Sequence, residues 1–218
     1  SEEIFLLRQE LRGTLATLNN IETIVSPEIA FTIQSEGTSL LPQRLLLADK
    51  ILYVYNPFFS EILKIDIESG ARNIIPAEYN LKQGILIEDT PVFFAEPNIL
   101  LVLQDNETWR EIALPLLSQD FQINQISNFT RAVYALDTTS GEIARYADPL
   151  SFNAQPVLWL QDTAKKPLAA KSMAIDGNIW FLDQDGGIQR YFVGRHSEDL
   201  ALSLFPSLKT ADQLKTDV

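Results

Sequence analysis

The chain has 218 residues, of which 46% are hydrophobic and 21% charged, a composition typical of a globular protein that can bury a core. Its formal net charge is −12 and its longest basic run is Lys165-Lys166, so nucleic acids and anionic membrane surfaces are not expected as partners. The absence of cysteine excludes disulfides, thiolate nucleophiles and cysteine zinc sites. No apolar run approaches the roughly 20 residues of a membrane helix, so direct membrane insertion of this segment is not predicted.

The N-terminal segment predicts an amphipathic helix that ends at Asn19-Asn20. Apolar residues recur there at steps of three or four, which places them on one face of a helix. This stripe comprises Ile4, Leu7, Leu11, Leu15 and Leu18. Residues 1–20 are therefore predicted to form a helix or linker, followed by a repeat domain over residues 21–218. Two interpretations stay open: the helix packs on the repeat domain, or it leads from a domain further upstream.

Four hairpins of similar sequence follow. In each, an apolar strand ends in a polar residue, and a second strand returns after a turn. The first strands cover residues 52–56, 100–104, 133–137 and 179–183, and the return strands cover residues 61–65, 108–112, 142–146 and 187–191. The second residues of the first strands are Tyr53, Leu101, Tyr134 and Trp180, which lie 48, 33 and 46 residues apart. A period of about 40 residues is typical of four-stranded propeller blades.

Shorter apolar segments between the hairpins predict the remaining strands, at residues 28–33, 84–88, 91–95, 156–160 and 170–175. The predicted fold class is therefore all-β, a β-propeller with four to five recognisable blades. The fifth blade would combine residues 28–48 with residues 200–205. Because four or five blades make a small ring, the alternative is that the chain is a truncated part of a larger ring.

The hairpin signature resembles the blades of the broad NHL, YVTN and TolB-like group of β-propellers. The resemblance covers residues 45–193 and rests on an apolar-aromatic strand ending in Asp or Asn, with a return strand of the form Ile-x-Lys/Arg-Tyr/Ile. It implies a propeller fold. The group includes docking scaffolds, sugar and peptide binders, extracytoplasmic sensors and a minority of enzymes that typically hold a metal with His and acidic residues. This sequence has one His, so no catalytic residue or cofactor is carried over.

The return strands place basic side chains at one repeated position. Lys64, Arg145 and Arg190 occupy it, whereas the degenerate second hairpin has Glu111 there. If these positions converge on one face, they would bind an anion or an acidic peptide. The other interpretation is that each cation pairs with a neighbouring carboxylate.

Trp180 belongs to the repeated aromatic position, together with Tyr53 and Tyr134. Such a column could stack sugars, but mid-strand positions among apolar neighbours favour packing between blades.

Two further motifs predict structure more than chemistry. Asp183 and Asp185 resemble the opening of a calcium loop, but Gly187 and Gly194 stand where an EF-hand needs oxygen ligands. A turn is predicted, with a calcium site of another type as the alternative. His196 is the single histidine, and no G-x-S-x-G or H-E-x-x-H motif accompanies it, so an exposed loop histidine is predicted.

The sequence therefore predicts a noncatalytic binding or docking module for a protein or peptide, and not an enzyme. Candidate binding residues are Lys64, Arg145, Arg190 and Trp180, with no metal ligand and no cofactor. Two alternatives stay open. One is a small-ligand or metal-binding receptor or enzyme with its site in the central channel. The other is a structural or sensor domain of a larger, membrane-anchored and extracytoplasmic protein, for which the initial Ser1 suggests an upstream segment.

Overall fold

A computed structural model of the chain describes residues 41–151, 154–162 and 165–200, together with Ile4 and Ile29. The chain divides into two compact units, Ser1–Glu36 and Gly37–Val218, and all strands given below belong to the second unit. Ile4 is helical, and the rest of the predicted N-terminal helix lies outside the described residues, as do the domain boundary predicted at residue 20 and residues 201–205. In the part of the chain that the structure describes, no helix is long and apolar enough to span a membrane.

The described residues form four antiparallel sheets of four strands each, in chain order. The first sheet consists of β1 (Arg44–Ala48), β2 (Ile51–Tyr55), β3 (Glu61–Asp66) and β4 (Arg72–Pro76). The second consists of β5 (Gln83–Ile87), β6 (Thr90–Ala95), β7 (Ile99–Leu103) and β8 (Trp109–Ala113). The third consists of β9 (Gln125–Phe129), β10 (Ala132–Asp137), β11 (Glu142–Tyr146) and β12 (Val157–Leu158). The fourth consists of β13 (Ser172–Ile175), β14 (Ile179–Leu182), β15 (Ile188–Phe192) and β16 (Arg195–Leu200).

Each sheet is an up-and-down meander, because every strand pairs with the next one along the chain. The first strands of successive sheets contact one another, β1 with β5, β5 with β9 and β9 with β13, so these strands lie innermost. The third and fourth strands therefore lie further out. The turns between first and second strands and between third and fourth strands share one end of the sheets.

The core lies between the sheets, because alternate residues of a strand point to opposite faces and the middle strands bury both. All six residues of β10 are buried: its odd-numbered residues Val133 and Ala135 face the second sheet, and Tyr134 faces the fourth. Between the first and second sheets, the Phe93 ring meets the rings of Tyr53, Tyr55 and Trp109 edge-on, with centroids 5.3–6.0 Å apart. Each interface between sheets is thus a separate apolar cluster.

Side-chain amides join the innermost strands of neighbouring sheets. Gln83 of β5 makes two hydrogen bonds to the backbone of Ile126 in β9: its Nε2 donates to the carbonyl oxygen at 2.6 Å, and its Oε1 accepts from the amide at 3.0 Å. Asn128 donates back to the carbonyl of Leu86, and Gln125 donates to that of Ala170 at 2.8 Å. Among the described residues, no strand pairing joins one sheet to the next, so these side chains provide hydrogen-bond partners for main-chain groups at the inner edge of the neighbouring sheet.

The second predicted hairpin was assigned to the wrong strands. Residues 100–104 and 108–112 lie in β7 and β8, the third and fourth strands, whereas the other three hairpins are formed by second and third strands. The equivalent hairpin is β6–β7, in which Val92 pairs with Val102. The repeated position therefore holds Val102 and not Glu111. The error has a local cause: β7 is a fully apolar run followed by a polar turn, and its pattern cannot be distinguished from that of a second strand.

The described residues of the predicted fifth blade do not form a blade of their own but belong to the first and fourth sheets. Residues 44–48 are β1, which pairs with β2 from Arg44↔Tyr55 to Ala48↔Ile51. Leu200 ends β16, which pairs with β15. The segment predicted at residues 156–160 is shorter than expected, because only Val157 and Leu158 pair with β11.

Candidate functional site

Lys64 lies on β3 and forms an ion pair with a carboxylate of the next sheet. Its Nζ donates to Glu107 Oε1 at 2.9 Å, and Glu107 also accepts a hydrogen bond from Asn73 Nδ2. Glu107 belongs to the turn between β7 and β8, in the second sheet. The hydrogen bond from Lys64 lowers the pKa of Glu107, which keeps this carboxylate charged. The pair thus joins two sheets across their interface.

Arg190 and Trp180 lie side by side on the fourth sheet, where they form a cross-strand pair. The guanidinium carbon lies 5.7 Å from the Trp180 ring centroid, and Nη2 lies 3.0 Å from Glu198 Oε1 and donates to Ser197 Oγ at 3.1 Å. Trp180 Nε1 donates to Asp176 Oδ1 at 2.9 Å. Burial would raise the pKa of Asp176, but hydrogen bonds from Trp180 and Asn178 outweigh it and lower that pKa. The Arg190 charge is therefore also paired within the protein.

Arg145 differs from both. It pairs with Tyr134 across β10 and β11, its Nε donates to Tyr134 Oη at 3.2 Å, and its guanidinium carbon lies 5.9 Å from the Tyr134 ring centroid. Among the described residues, no carboxylate forms an ion pair with it. Arg145 is thus a half-buried cation with an aromatic neighbour and no counter-charge from the described part of the chain.

A groove of about 360 Å³ between the third and fourth sheets contains Arg145. Its aromatic wall consists of Phe129, Tyr134 and Trp159, and its buried apolar floor of Ala132, Ile175 and Ile179. Tyr134 and Trp159 meet edge-to-face with ring centroids 5.9 Å apart. Thr130, Gly177 and Val193 complete the lining. Mostly apolar walls around a few polar groups are typical of ligand sites, and the volume lies in their usual range.

The turn Val193-Gly194, between β15 and β16, shapes one side of the groove. Both residues have positive φ, 48° and 74°, as the turn of a two-residue hairpin requires. A Cβ on Gly194 would lie 2.3 Å from the carbonyl oxygen of Trp159, so only glycine fits. The carbonyl of Gly194 accepts hydrogen bonds from the amides of Gln161 at 2.7 Å and Asp162 at 3.2 Å. These contacts hold the segment after β12, and with it Trp159, against the fourth sheet.

The predicted binding residues lie in three different sheets. Trp180 and Arg190 are in contact, whereas Lys64, Arg145 and Arg190 each have their own partners and are not brought together. Sequence reasoning missed Phe129, Trp159 and Val193. Its prediction of an exposed loop histidine is also wrong, because His196 lies in β16 and only 11% of its side chain is exposed. Trp159 follows a two-residue strand outside the hairpin repeat, so its proximity to Tyr134 leaves no periodic signal.

A larger cavity of about 640 Å³ lies beside the fourth sheet, and both lysines that line it form ion pairs within the protein. Asp199, on its rim, lies 2.8 Å from Lys165 Nζ and 2.7 Å from His196 Nε2, and the hydrogen bond from Lys165, followed by that from His196, lowers the pKa of Asp199. Lys166 lies 3.6 Å from Glu142. The groove around Arg145 is therefore the better candidate for binding.

Asp183 also lines that larger cavity, but its carboxylate accepts hydrogen bonds from main-chain amides in the turn between β14 and β15. Asp183 Oδ1 accepts hydrogen bonds from the amides of Asp185 at 2.9 Å and Gly187 at 2.7 Å. Within the described residues, no group of three or more His, Asp or Glu side chains is arranged to hold a metal ion.

No family model matches the sequence, and no curated protein matches it. Solved structures do. A catalytically inactive virginiamycin B lyase from Staphylococcus aureus with quinupristin aligns with TM-score 0.55 and 14% identity, over 83% of this chain and 60% of that one. A streptogramin B lyase aligns with TM-score 0.52 and 16% identity, over 74% and 55%. YCF48 bound to D1 peptide aligns with TM-score 0.53 and 12% identity, over 75% and 56%.

The fold is a β-propeller. These neighbours are propeller proteins, and the four meandering sheets of this chain match them. The chain spans 55–60% of the length of these three structures. At 12–16% identity the likeness shows the fold alone, and the neighbours include both an enzyme and a protein bound to a peptide.

Proposed function

We propose that this propeller is a noncatalytic docking module that binds a protein or peptide in the groove between its third and fourth sheets. The observation that carries the proposal is the state of Arg145. Lys64 and Arg190 occupy the equivalent position and form ion pairs, whereas Arg145 has no counter-charge among the described residues and lies in a concave aromatic groove.

The lining of the groove supports binding. A guanidinium and exposed edges of aromatic rings are the groups that most often dominate peptide and protein interfaces. Loops and turns supply the accessible part of the rim, through Thr130, Gly177 and Val193, while strands hold the floor. A rigid floor with loop-borne contacts is the usual arrangement of a recognition site.

The same lining supports a noncatalytic role. Among the described residues that line the groove, the polar side chains belong to Arg145, Tyr134, Thr130 and Trp159. The Arg145 guanidinium carries donors and no acceptor atom, and the Tyr134 hydroxyl accepts a hydrogen bond from Arg145 Nε. The described lining therefore has no carboxylate, imidazole or amine that would act as a general base.

A selection experiment tests the proposal. The wild-type chain would be used to enrich binders from a random linear peptide library, and the enriched peptides would be compared on wild type, Arg145→Met and Arg44→Met. Arg44 lies on β1 in the first sheet and serves as a control for removing one guanidinium. We expect the selected peptides to bind Arg145→Met about tenfold or more weakly than wild type, as for loss of a hydrogen bond to a charged group, and to bind Arg44→Met as they bind wild type.

Two results would contradict the proposal. Peptides that bind Arg145→Met as tightly as wild type would show that docking does not use this groove. A change in peptide mass after prolonged incubation with the wild-type chain would show that the module is catalytic. Recovery of intact peptides together with selective loss in Arg145→Met is the expected outcome.

A further inference from the structure

We infer that the groove selects a peptide carboxylate that is flanked by an apolar side chain. This specificity rests on the docking function proposed above and names the chemistry of its occupant. The carboxylate would come from a peptide C-terminus or from an acidic side chain, and the experiment below distinguishes these two sources.

The orientation of Arg145 leaves its carboxylate-binding edge available. Nε donates to Tyr134 Oη at 3.2 Å, and the guanidinium lies over the Tyr134 ring, which together hold its plane. The two terminal nitrogens have no hydrogen-bond partner among the described residues. A guanidinium presents paired N–H groups in the geometry that a carboxylate accepts with both oxygens, so Arg145 is prepared for bidentate binding.

The protein itself shows which counter-charge this position takes. In the first sheet the equivalent cation, Lys64, binds the Glu107 carboxylate of the next sheet at 2.9 Å. For Arg145, the corresponding turn of the next sheet is Val193-Gly194, which brings an apolar side chain and a glycine. A ligand carboxylate would thus form with Arg145 the ion pair that Glu107 forms with Lys64.

Apolar surfaces on both sides of Arg145 define the rest of the occupant. Trp159 and Phe129 lie in the wall, and Val193, 59% exposed, lies at the rim. Val157 pairs with Arg145 across β11 and β12, so it lies on the same face, and it is 56% exposed. An apolar residue next to the ligand carboxylate would cover these groups and remove water from the ion pair, which strengthens it.

Four short peptides test the inference by NMR titration. N-acetyl-Gly-Gly-Phe carries a free C-terminal carboxylate beside a phenyl ring, and its C-terminal amide removes that charge. N-acetyl-Gly-Phe-Glu-Gly-amide carries an internal carboxylate, and its Gln analogue removes it. The signals to follow are the Arg145 Nε–H and the Trp159 indole N–H, which lie in the groove. We expect at least one acid to bind about tenfold or more tightly than its neutral analogue.

Variants assign the effect to Arg145. Arg145→Met should abolish the preference for the acid, and Arg145→Lys should weaken it, because an ammonium cannot reproduce the bidentate contact. Val193→Glu should also weaken it by supplying an internal carboxylate at the turn. Arg44→Met should leave the preference unchanged, and thermal unfolding of each variant would establish that it folds.

The two sources give different patterns, and each failure is distinct. Preference for the free C-terminus alone identifies terminal recognition, and preference for the Glu peptide alone identifies an acidic side chain. Equal binding of acids and neutral analogues, or no shift of the groove signals with any of the four peptides, overturns the carboxylate inference. The docking proposal would fall only if the library-selected peptides bound Arg145→Met unchanged or if the wild-type chain changed their mass.

Discussion

The interface between the first and second sheets and the interface between the third and fourth contain the same cation position but treat it differently. Lys64 and Arg145 each pair with a tyrosine on the neighbouring strand. In the first interface the turn of the next sheet supplies Glu107, and in the third it supplies Val193-Gly194. The comparison shows that the repeat sets the place of the cation, while one turn in the adjacent sheet decides whether its charge is available.

The first interface should depend most strongly on packing. Phe93→Ala removes the ring that meets Tyr53, Tyr55 and Trp109, and we expect a loss of about 3–5 kcal/mol in the free energy of unfolding, measured by urea titration. Phe58→Ala is the control, because that ring is 68% exposed and should change stability by less than about 0.5 kcal/mol. Similar losses in both variants would contradict the importance of this aromatic cluster.

The third interface should depend on a backbone contact. Gly70 and Gly194 have nearly equal φ, 72° and 74°, but a Cβ would meet nothing within 4 Å at Gly70 and the Trp159 carbonyl at 2.3 Å at Gly194. Gly70→Ala should therefore cost about 1–2 kcal/mol for its φ alone. Gly194→Ala should cost at least about 1 kcal/mol more and shift the Trp159 indole signal. Equal losses in the free energy of unfolding would mean that the backbone at Trp159 moves away from the added Cβ without a measurable energy cost.

Equivalent turn residues of the first and third sheets should respond differently to pH. Burial would raise the pKa of Asp137, but hydrogen bonds from the amides of Ser140, Thr139 and Gln122 outweigh it and lower that pKa. A lowered pKa in the folded state contributes stability above the unfolded pKa of about 3.9, and this contribution is lost as pH falls through the folded value. Asp137→Asn should thus cost about 1–3 kcal/mol at pH 7, and less at pH 3.

Asn56 provides the matched control for this prediction. Its Oδ1 accepts from the Phe58 amide at 3.0 Å, as Asp137 Oδ1 accepts from Thr139 at 2.8 Å, but its Nδ2 donates to the Leu41 carbonyl at 2.6 Å. Asn56→Asp would place a carboxylate oxygen against that carbonyl, and its cost should grow as pH rises from 3 to 7. Urea titrations at both pH values would reveal the opposite trends, and parallel trends would refute the assignment.

The smallest effect should be the ion pair itself. A double-mutant cycle of Lys64→Met and Glu107→Gln should give a small favourable coupling, because the pair is partly exposed and screened. A second cycle, Val193→Glu with Arg145→Met, should create a coupling of the same order at the third interface. Absence of the second coupling, with the first present, would show that the two turns are not equivalent.

Prediction from sequence succeeded where the signal was local. The β10–β11 hairpin was expected at residues 133–137 and 142–146, and it was found at Ala132–Asp137 and Glu142–Tyr146 with Tyr134 opposite Arg145. Two short apolar strands joined by an Asp-to-Gly turn indicate such a hairpin without reference to the rest of the chain. The prediction failed for β7, because a run of apolar residues does not reveal which strand of a sheet a segment becomes.

The candidate site could be predicted only in part. Arg145 and its tyrosine lie on one hairpin, so their repeat identified the position. The partner that distinguishes Lys64 from Arg145 lies in another sheet, since Glu107 follows Lys64 by 43 residues. Trp159 reaches the groove because Gly194 admits its carbonyl, a steric relation that no periodic pattern contains.

The amide contacts of the innermost strands have a consequence for how such a chain can grow. Gln83 recognises only main-chain atoms of Ile126, so this link does not depend on the identity of the side chain that it reaches. A duplicated copy of a sheet could therefore join its neighbour at the centre before any matching substitutions arose. Sequence differences between the sheets would then accumulate in the outer strands and turns, where one sheet has Glu107 and another has Val193.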